Sequence, residues 1–219
     1  MQKKRANMHD ISETMRLPSP APHPQSIALD GDKLWMGSID TNRIYAIDAH
    51  QWTIVEEDKA PGKPWGITVV GDELRAICGE GADDSRIIRR FIPGHGFKEQ
   101  DAVPCPDDTG SHLSYDGVRL YVSQWYNKRI VGIDERGNIV RTIDLPRGVC
   151  GQCFSDGSFY VITTDDEASD RYFLGKVDAE GTNFQDLARV PFAARGLASD
   201  GTRFWTNHRE RNEIVAFTI

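Results

Sequence analysis

Nowhere does this chain of 219 residues string together the ~18 apolar residues that a membrane-spanning helix requires, so no span is expected. Positive charge is also short. Lys and Arg number 26 against 33 Asp and Glu, a net charge of −7 spread along the chain. A protein that tracks phosphates needs a basic stripe, so nucleic acid is not an expected partner. Lys3-Lys4-Arg5 leads into polar Ala6-Asn7-Met8-His9-Asp10 rather than an apolar segment. No secretory signal is visible there, and a cytoplasmic location is the expectation. Cysteine is scarce, at four residues. Cys150-Gly151-Gln152-Cys153 has Cys-x-x-Cys spacing, but its redox version needs a helix N-terminus to lower the thiol pKa. Here it opens an expected strand, and reduced thiols follow. Phosphate-binding Gly-rich loops, dinucleotide turns and the Gly-x-Ser-x-Gly elbow are all missing. No stretch holds a capped 3.6-residue apolar period, so almost no helix is expected.

What the chain has is a repeat. Asp30-Gly31, Asp116-Gly117, Asp156-Gly157 and Asp200-Gly201 recur, with reversed Gly71-Asp72 in the remaining place. The glycines lie 40, 46, 40 and 44 residues apart. Pro18, Pro61, Pro104, Pro146 and Pro191 keep the same beat, at intervals of 43, 43, 42 and 45. Each Asp-Gly separates two runs of alternating apolar residues, as in Leu113 to Tyr115 and Val118 to Val122, which is a hairpin pattern. A third strand follows, often opened by Asn (Asn42, Asn127, Asn212), and a fourth runs into the spaced proline. Four short strands per unit and five units predict an all-β, five-bladed β-propeller of four-stranded antiparallel blades. A β-sandwich would not produce two concordant rulers. The last unit stops after its third strand, and Ser12 to Pro18 reads as an unpaired fourth strand. That segment is expected to complete the fifth blade and close the ring. Residues 1–10 then form a flexible tail and 11–219 one propeller domain.

Loops entering each first strand and leaving each second strand gather around the central channel, on the face where a rigid ring carries function. Counting back from the turn glycines gives Gln25-Ser26, Trp65-Gly66, Ser111-His112, Gly151-Gln152 and Arg195-Gly196. Counting forward gives Ser38-Ile39, Cys78-Gly79, Gln124-Trp125, Thr164-Asp165 and His208-Arg209. These columns are polar and differ from blade to blade, which points to a ligand site. His112 and His208 are the acid–base candidates, since an imidazole titrates near pH ~6.5. Arg195 is the candidate anion anchor. Trp65 and Trp125 offer flat walls, Gln25, Gln124 and Gln152 offer amides, and Asp165 adds a carboxylate. The structural alternatives are hydrogen bonds between blades for the histidines and inter-blade packing for the tryptophans. Asp83-Asp84 and Asp165-Asp166-Glu167 read as solvated acidic turns. No cofactor is expected. A divalent metal on His112, His208 and Cys78 is the alternative, weakened because zinc ligands usually come in close pairs.

With these residues in place the repeat resembles the propellers typified by glutamine cyclotransferases, NHL and YVTN repeats, and virginiamycin B lyase. Gln25-Ser26-Ile27 looks like the cyclotransferase Gln-Gly-Leu, and Trp65-Gly66-Ile67-Thr68 looks like its Trp-Gly-Leu-Thr. The resemblance implies cyclisation of N-terminal glutamine to pyroglutamate, with a carboxylate near the channel moving the proton. Trp35-Met36-Gly37-Ser38 stands where that family carries Tyr-Glu-Ser, and Glu80 lies on the equivalent edge of the next blade. Two functions stay open: an enzyme of cyclotransferase, lyase or hydrolase type, or a non-catalytic module that binds a small molecule, a short peptide or a protein partner.

Overall fold

A computed structural model describes residues 8–80, 85–169 and 171–219. Among them, twenty strands form five four-stranded antiparallel sheets. The first strand, β1 (Ser12–Pro18), stands apart in sequence from its sheet. Blade 1 holds β2 (Pro24–Asp30), β3 (Lys33–Ser38), β4 (Arg43–Asp48) and β5 (Thr53–Lys59). Blade 2 holds β6 (Lys63–Val70), β7 (Glu73–Gly79), β8 (Ile87–Ile92) and β9 (Gly96–Pro104). Blade 3 holds β10 (Leu113–Tyr115), β11 (Leu120–Gln124), β12 (Arg129–Ile133) and β13 (Ile139–Asp144). Blade 4 holds β14 (Gly148–Ser155), β15 (Ser158–Thr164), β16 (Tyr172–Asp178) and β17 (Phe184–Val190). Blade 5 holds β18 (Ala194–Ser199), β19 (Phe204–His208) and β20 (Glu213–Thr218), and its outer strand is β1, paired antiparallel with β20. The five-bladed propeller read from the repeat is therefore the fold, with the early strand closing the ring. The inner strands β2, β6, β10, β14 and β18 each touch the next around the channel.

Packing explains the ring. The buried apolar residues fall into five clusters, and each spans a boundary between neighbouring blades. Trp35 and Phe91 meet between blades 1 and 2, while Tyr121 and Phe159 meet between blades 3 and 4. Alternate side chains of one strand therefore serve two different clusters.

The turns differ from the expected uniform Asp-Gly. Only Asp156-Gly157 supplies both central residues of a two-residue turn in left-handed conformation, with φ of 48° and 68°. In blades 1 and 2 the glycine comes first, as Gly31 and Gly71. In blades 3 and 5 the aspartate opens a longer turn and accepts two backbone N–H groups, Asp116 from Val118 and Arg119, Asp200 from Thr202 and Arg203.

Of the tail expected over residues 1–10, residues 1–7 lie outside the described residues. His9 accepts from Arg189 N and Ile11 N donates to Arg189 O, both at 2.9 Å, so the ring already holds the chain there. Asp83-Asp84 also lie outside the described residues. Among the described residues, no helix is long and apolar enough to cross a membrane.

Candidate functional site

One feature of the inner strands recurs at the channel mouth. Pairing of β2 with β3, β6 with β7, and β14 with β15 slips at Gln25, Trp65 and Cys150, and pairing of β18 with β19 slips just after Arg195. Such bulges re-aim a side chain. Here Gln25, Trp65, Cys150 and Arg195 all line a cavity of about 580 Å³ over the channel. Blade 3 does the same with Ser111 and His112, just before β10; Ser123 bonds to both backbones.

His112 lies at the heart of this cavity and is 3% exposed. Its imidazole makes no hydrogen bond among the described residues. Burial, then the charges of Arg195, Arg86 and Arg209, hold its pKa down to about 3. At neutral pH these influences favour the neutral imidazole. Arg195, also 3% exposed, donates from Nη1 to Tyr172 Oη at 2.7 Å and Ala194 O at 2.9 Å, and its Nη2 lies 3.3 Å from Glu167 Oε2. Arg86 sits 4.0 Å above the Trp65 ring and donates to Gly110 O. Arg209 donates to Gln25 Oε1 at 3.1 Å. Trp125 and Tyr126, edge to face, continue the aromatic wall. The β15–β16 loop brings Asp165, Asp166 and Glu167 to the rim, where Asp165 faces Lys128 at 3.7 Å.

The cavity thus gathers six of the nine residues expected at the site: Gln25, Trp65, His112, Trp125, Asp165 and Arg195. It excludes three. His208 is the main correction: its ring stacks on Phe192 at 4.7 Å and lies 3.1 Å from Arg16 Nη1, away from the channel. The strand alternates, and Asn207 takes the inward position by donating to Ser26 O. A histidine pair for acid–base work is not assembled, nor is a metal site with Cys78, which packs in the cluster between blades 1 and 2. Gln124 donates to Pro106 O and accepts from Arg129, tying down the short turn Pro106–Asp108. Gln152 donates to His112 O and Tyr121 O, bridging blades 4 and 3.

Sequence reasoning put Arg209 in the polar columns without a role, and missed Arg86, Cys150 and Glu167 as cavity residues. Cys150 was legible. Counted from the first residue of the two-residue turns (Gly31, Gly71 and Asp156), Cys150 matches Gln25 and Trp65. Trp65-Gly66, Cys150-Gly151 and Arg195-Gly196 then show one aromatic, thiol or cationic residue before a glycine. The glycine ruler slipped by one in blade 4 and selected Gln152 instead. Burial raises the Cys150 thiol to about 12, so it is no nucleophile at neutral pH, and the Cys153 thiol is raised by the same cause. Glu167, read as part of a solvated turn, faces Arg195 instead.

No protein-family model matches the sequence, and no curated protein sequence does either. Solved structures do match. Glutaminyl cyclase from Myxococcus xanthus, 9% identical, superposes over 96% of this chain and 98% of its own with a TM-score of 0.70. The PQQ-bound aldose sugar dehydrogenase from Streptomyces coelicolor, 13% identical, covers 95% and 97% at 0.57. Virginiamycin B lyase from Staphylococcus aureus, 16% identical, covers 94% and 98% at 0.53. What the chain shares with glutaminyl cyclase and virginiamycin B lyase, two of the groups its repeat resembles, is the propeller fold.

Proposed function

We propose that this protein is a small-molecule-binding propeller whose ligand enters the cavity over the channel. One observation carries the reading: His112, a polar side chain almost wholly buried, lines the cavity with no hydrogen-bond partner among the described residues. Its ring nitrogens face the cavity, where a ligand can bond them in place of water. A volume of about 580 Å³ with two indoles and a few convergent polar groups fits a compact organic ligand.

A catalytic reading is favoured by enzymes among the fold neighbours, glutaminyl cyclase and virginiamycin B lyase. Its proton carrier would be a rim carboxylate, Glu167 or Asp166, since His112 stays neutral and His208 lies elsewhere. Short peptides with N-terminal glutamine are the first substrates to try. Pyroglutamate formation that survives in Glu167→Gln and Asp166→Asn would remove the rim carboxylates from that role.

A thermal-shift panel of amino acids, glutamine peptides, carboxylic acids and sugars tests the binding reading. At least one member is expected to raise Tm in proportion to the logarithm of its concentration. The shift should disappear in His112→Ala and shrink in Trp65→Ala. A shift that survives both substitutions places the ligand elsewhere and ends the proposal, as does a panel with no shift.

A further inference from the structure

Three guanidiniums around one neutral imidazole narrow the kind of ligand, and this inference rests on the binding reading above. Arg195 comes from β18, Arg209 from the turn after β19, and Arg86 from the segment before β8; all three charges reach His112. Arg195 is the deepest. Its Nη1 is occupied by Tyr172 and the Ala194 carbonyl, while its Nη2 has a single carboxylate oxygen at 3.3 Å. That oxygen belongs to Glu167, a half-exposed residue whose other oxygen lies 3.9 Å from Cys150 Sγ. A carboxylate of the protein therefore already rests on the buried cation, through one long contact. The rim works against large charge: Asp165 and Asp166 would repel a polyanion entering past them. The walls are flat, formed by Trp65, Trp125 and Tyr126.

We propose that the cavity takes a planar monocarboxylate, which replaces Glu167 on Arg195, accepts from Arg209 and His112 through its second oxygen, and lays its ring against the indoles. His112, neutral, offers it an N–H. Glu167 is then an internal competitor that leaves when the ligand enters.

Calorimetry with benzoate, the neutral isostere benzamide, acetate and inorganic phosphate tests this. Benzoate is expected to bind, with benzamide, acetate and phosphate each weaker by about tenfold or more. Glu167→Gln should tighten benzoate several-fold by removing the competitor. Arg209→Gln, a less buried site than Arg195, should weaken it about tenfold. The proposal is overturned if benzamide or phosphate binds as well as benzoate, if Glu167→Gln leaves affinity unchanged or lowers it, or if benzoate gives no binding at millimolar concentration. Benzamide binding as tight as that of benzoate, and lost in His112→Ala, would keep the small-molecule reading while ending the anionic one. Absence of binding by all four probes, joined to a silent thermal-shift panel, would end both.

Discussion

His112 carries a cost that pH should reveal. Its folded pKa, about 3, lies below the ordinary imidazole value near ~6.5, because burial and the charges of Arg195, Arg86 and Arg209 oppose protonation. Above pH ~6.5 neither the folded nor the unfolded chain holds the proton, and the residue is neutral for stability. Below it the unfolded chain takes up a proton that the folded chain refuses, so stability falls by roughly 1.4 kcal/mol per pH unit until the folded pKa is reached. Between pH 7 and pH 5 the wild type should therefore lose about 2 kcal/mol more than His112→Gln. Urea unfolding of the two proteins at both pH values measures this. Identical losses would show that His112 is protonated in the fold and reopen it as a proton shuttle. Its place at the channel mouth, just before β10, was legible in the repeat. Its neutral state was not legible, because the burial and the arginines that favour it arise only when the closed ring brings distant segments together.

The strand β1 does for the ring what no other element does. It pairs with β20 from Ser12 opposite Thr218 to Pro18 opposite Glu213, though its own side chains are mostly exposed. Arg16 anchors it to Glu213 at 2.5 Å and stacks on Phe192, and Pro18 O accepts the Trp52 indole N–H at 2.9 Å. Its contribution is thus ladder hydrogen bonds and one cationic clamp rather than buried apolar surface. Removing residues 1–18 should leave β20 as an unpaired edge over buried Ile214 to Phe217. We expect a loss on the order of 5 kcal/mol in unfolding free energy and the appearance of oligomers in size-exclusion chromatography. A truncated chain that stays monomeric and as stable as the full one would refute closure by this strand. Closure itself was legible, since a count of four strands per unit leaves the last blade one short and the first segment one over. The bulges were less so. They follow from where each turn begins, and Asp156-Gly157 turns one residue earlier relative to its glycine than Gly31-Asp32 does. A ruler built on glycine alone therefore finds the blades but misplaces a side chain by one, which on a strand means the opposite face.

Five clusters at five blade boundaries leave no blade with an apolar core of its own. Trp35 and Phe91 interlock at 5.5 Å across blades 1 and 2, and Tyr121 and Phe159 at 4.6 Å across blades 3 and 4. A linear array of such units could open from either end, but a closed ring cannot release one blade without stripping two clusters. The repeat in the sequence suggests independent modules; the packing makes them one cooperative unit. Phe91→Ala and Phe159→Ala remove fully buried rings at well-separated boundaries, each at about 3–5 kcal/mol. Each should lower a single melting transition by roughly 10 °C, seen identically by tryptophan fluorescence and by far-ultraviolet circular dichroism. Fluorescence is a fair witness because the five tryptophans are spread round the ring, with Trp35 between blades 1 and 2, Trp205 between blades 5 and 1, and Trp65 and Trp125 at the cavity. If Phe159→Ala gave two steps in fluorescence, the blades would be unfolding separately. The same coupling bears on the cavity, whose residues come from every blade. A substitution at either boundary should then weaken ligand binding only as far as it populates the unfolded chain, with no graded loosening of the site before the ring opens.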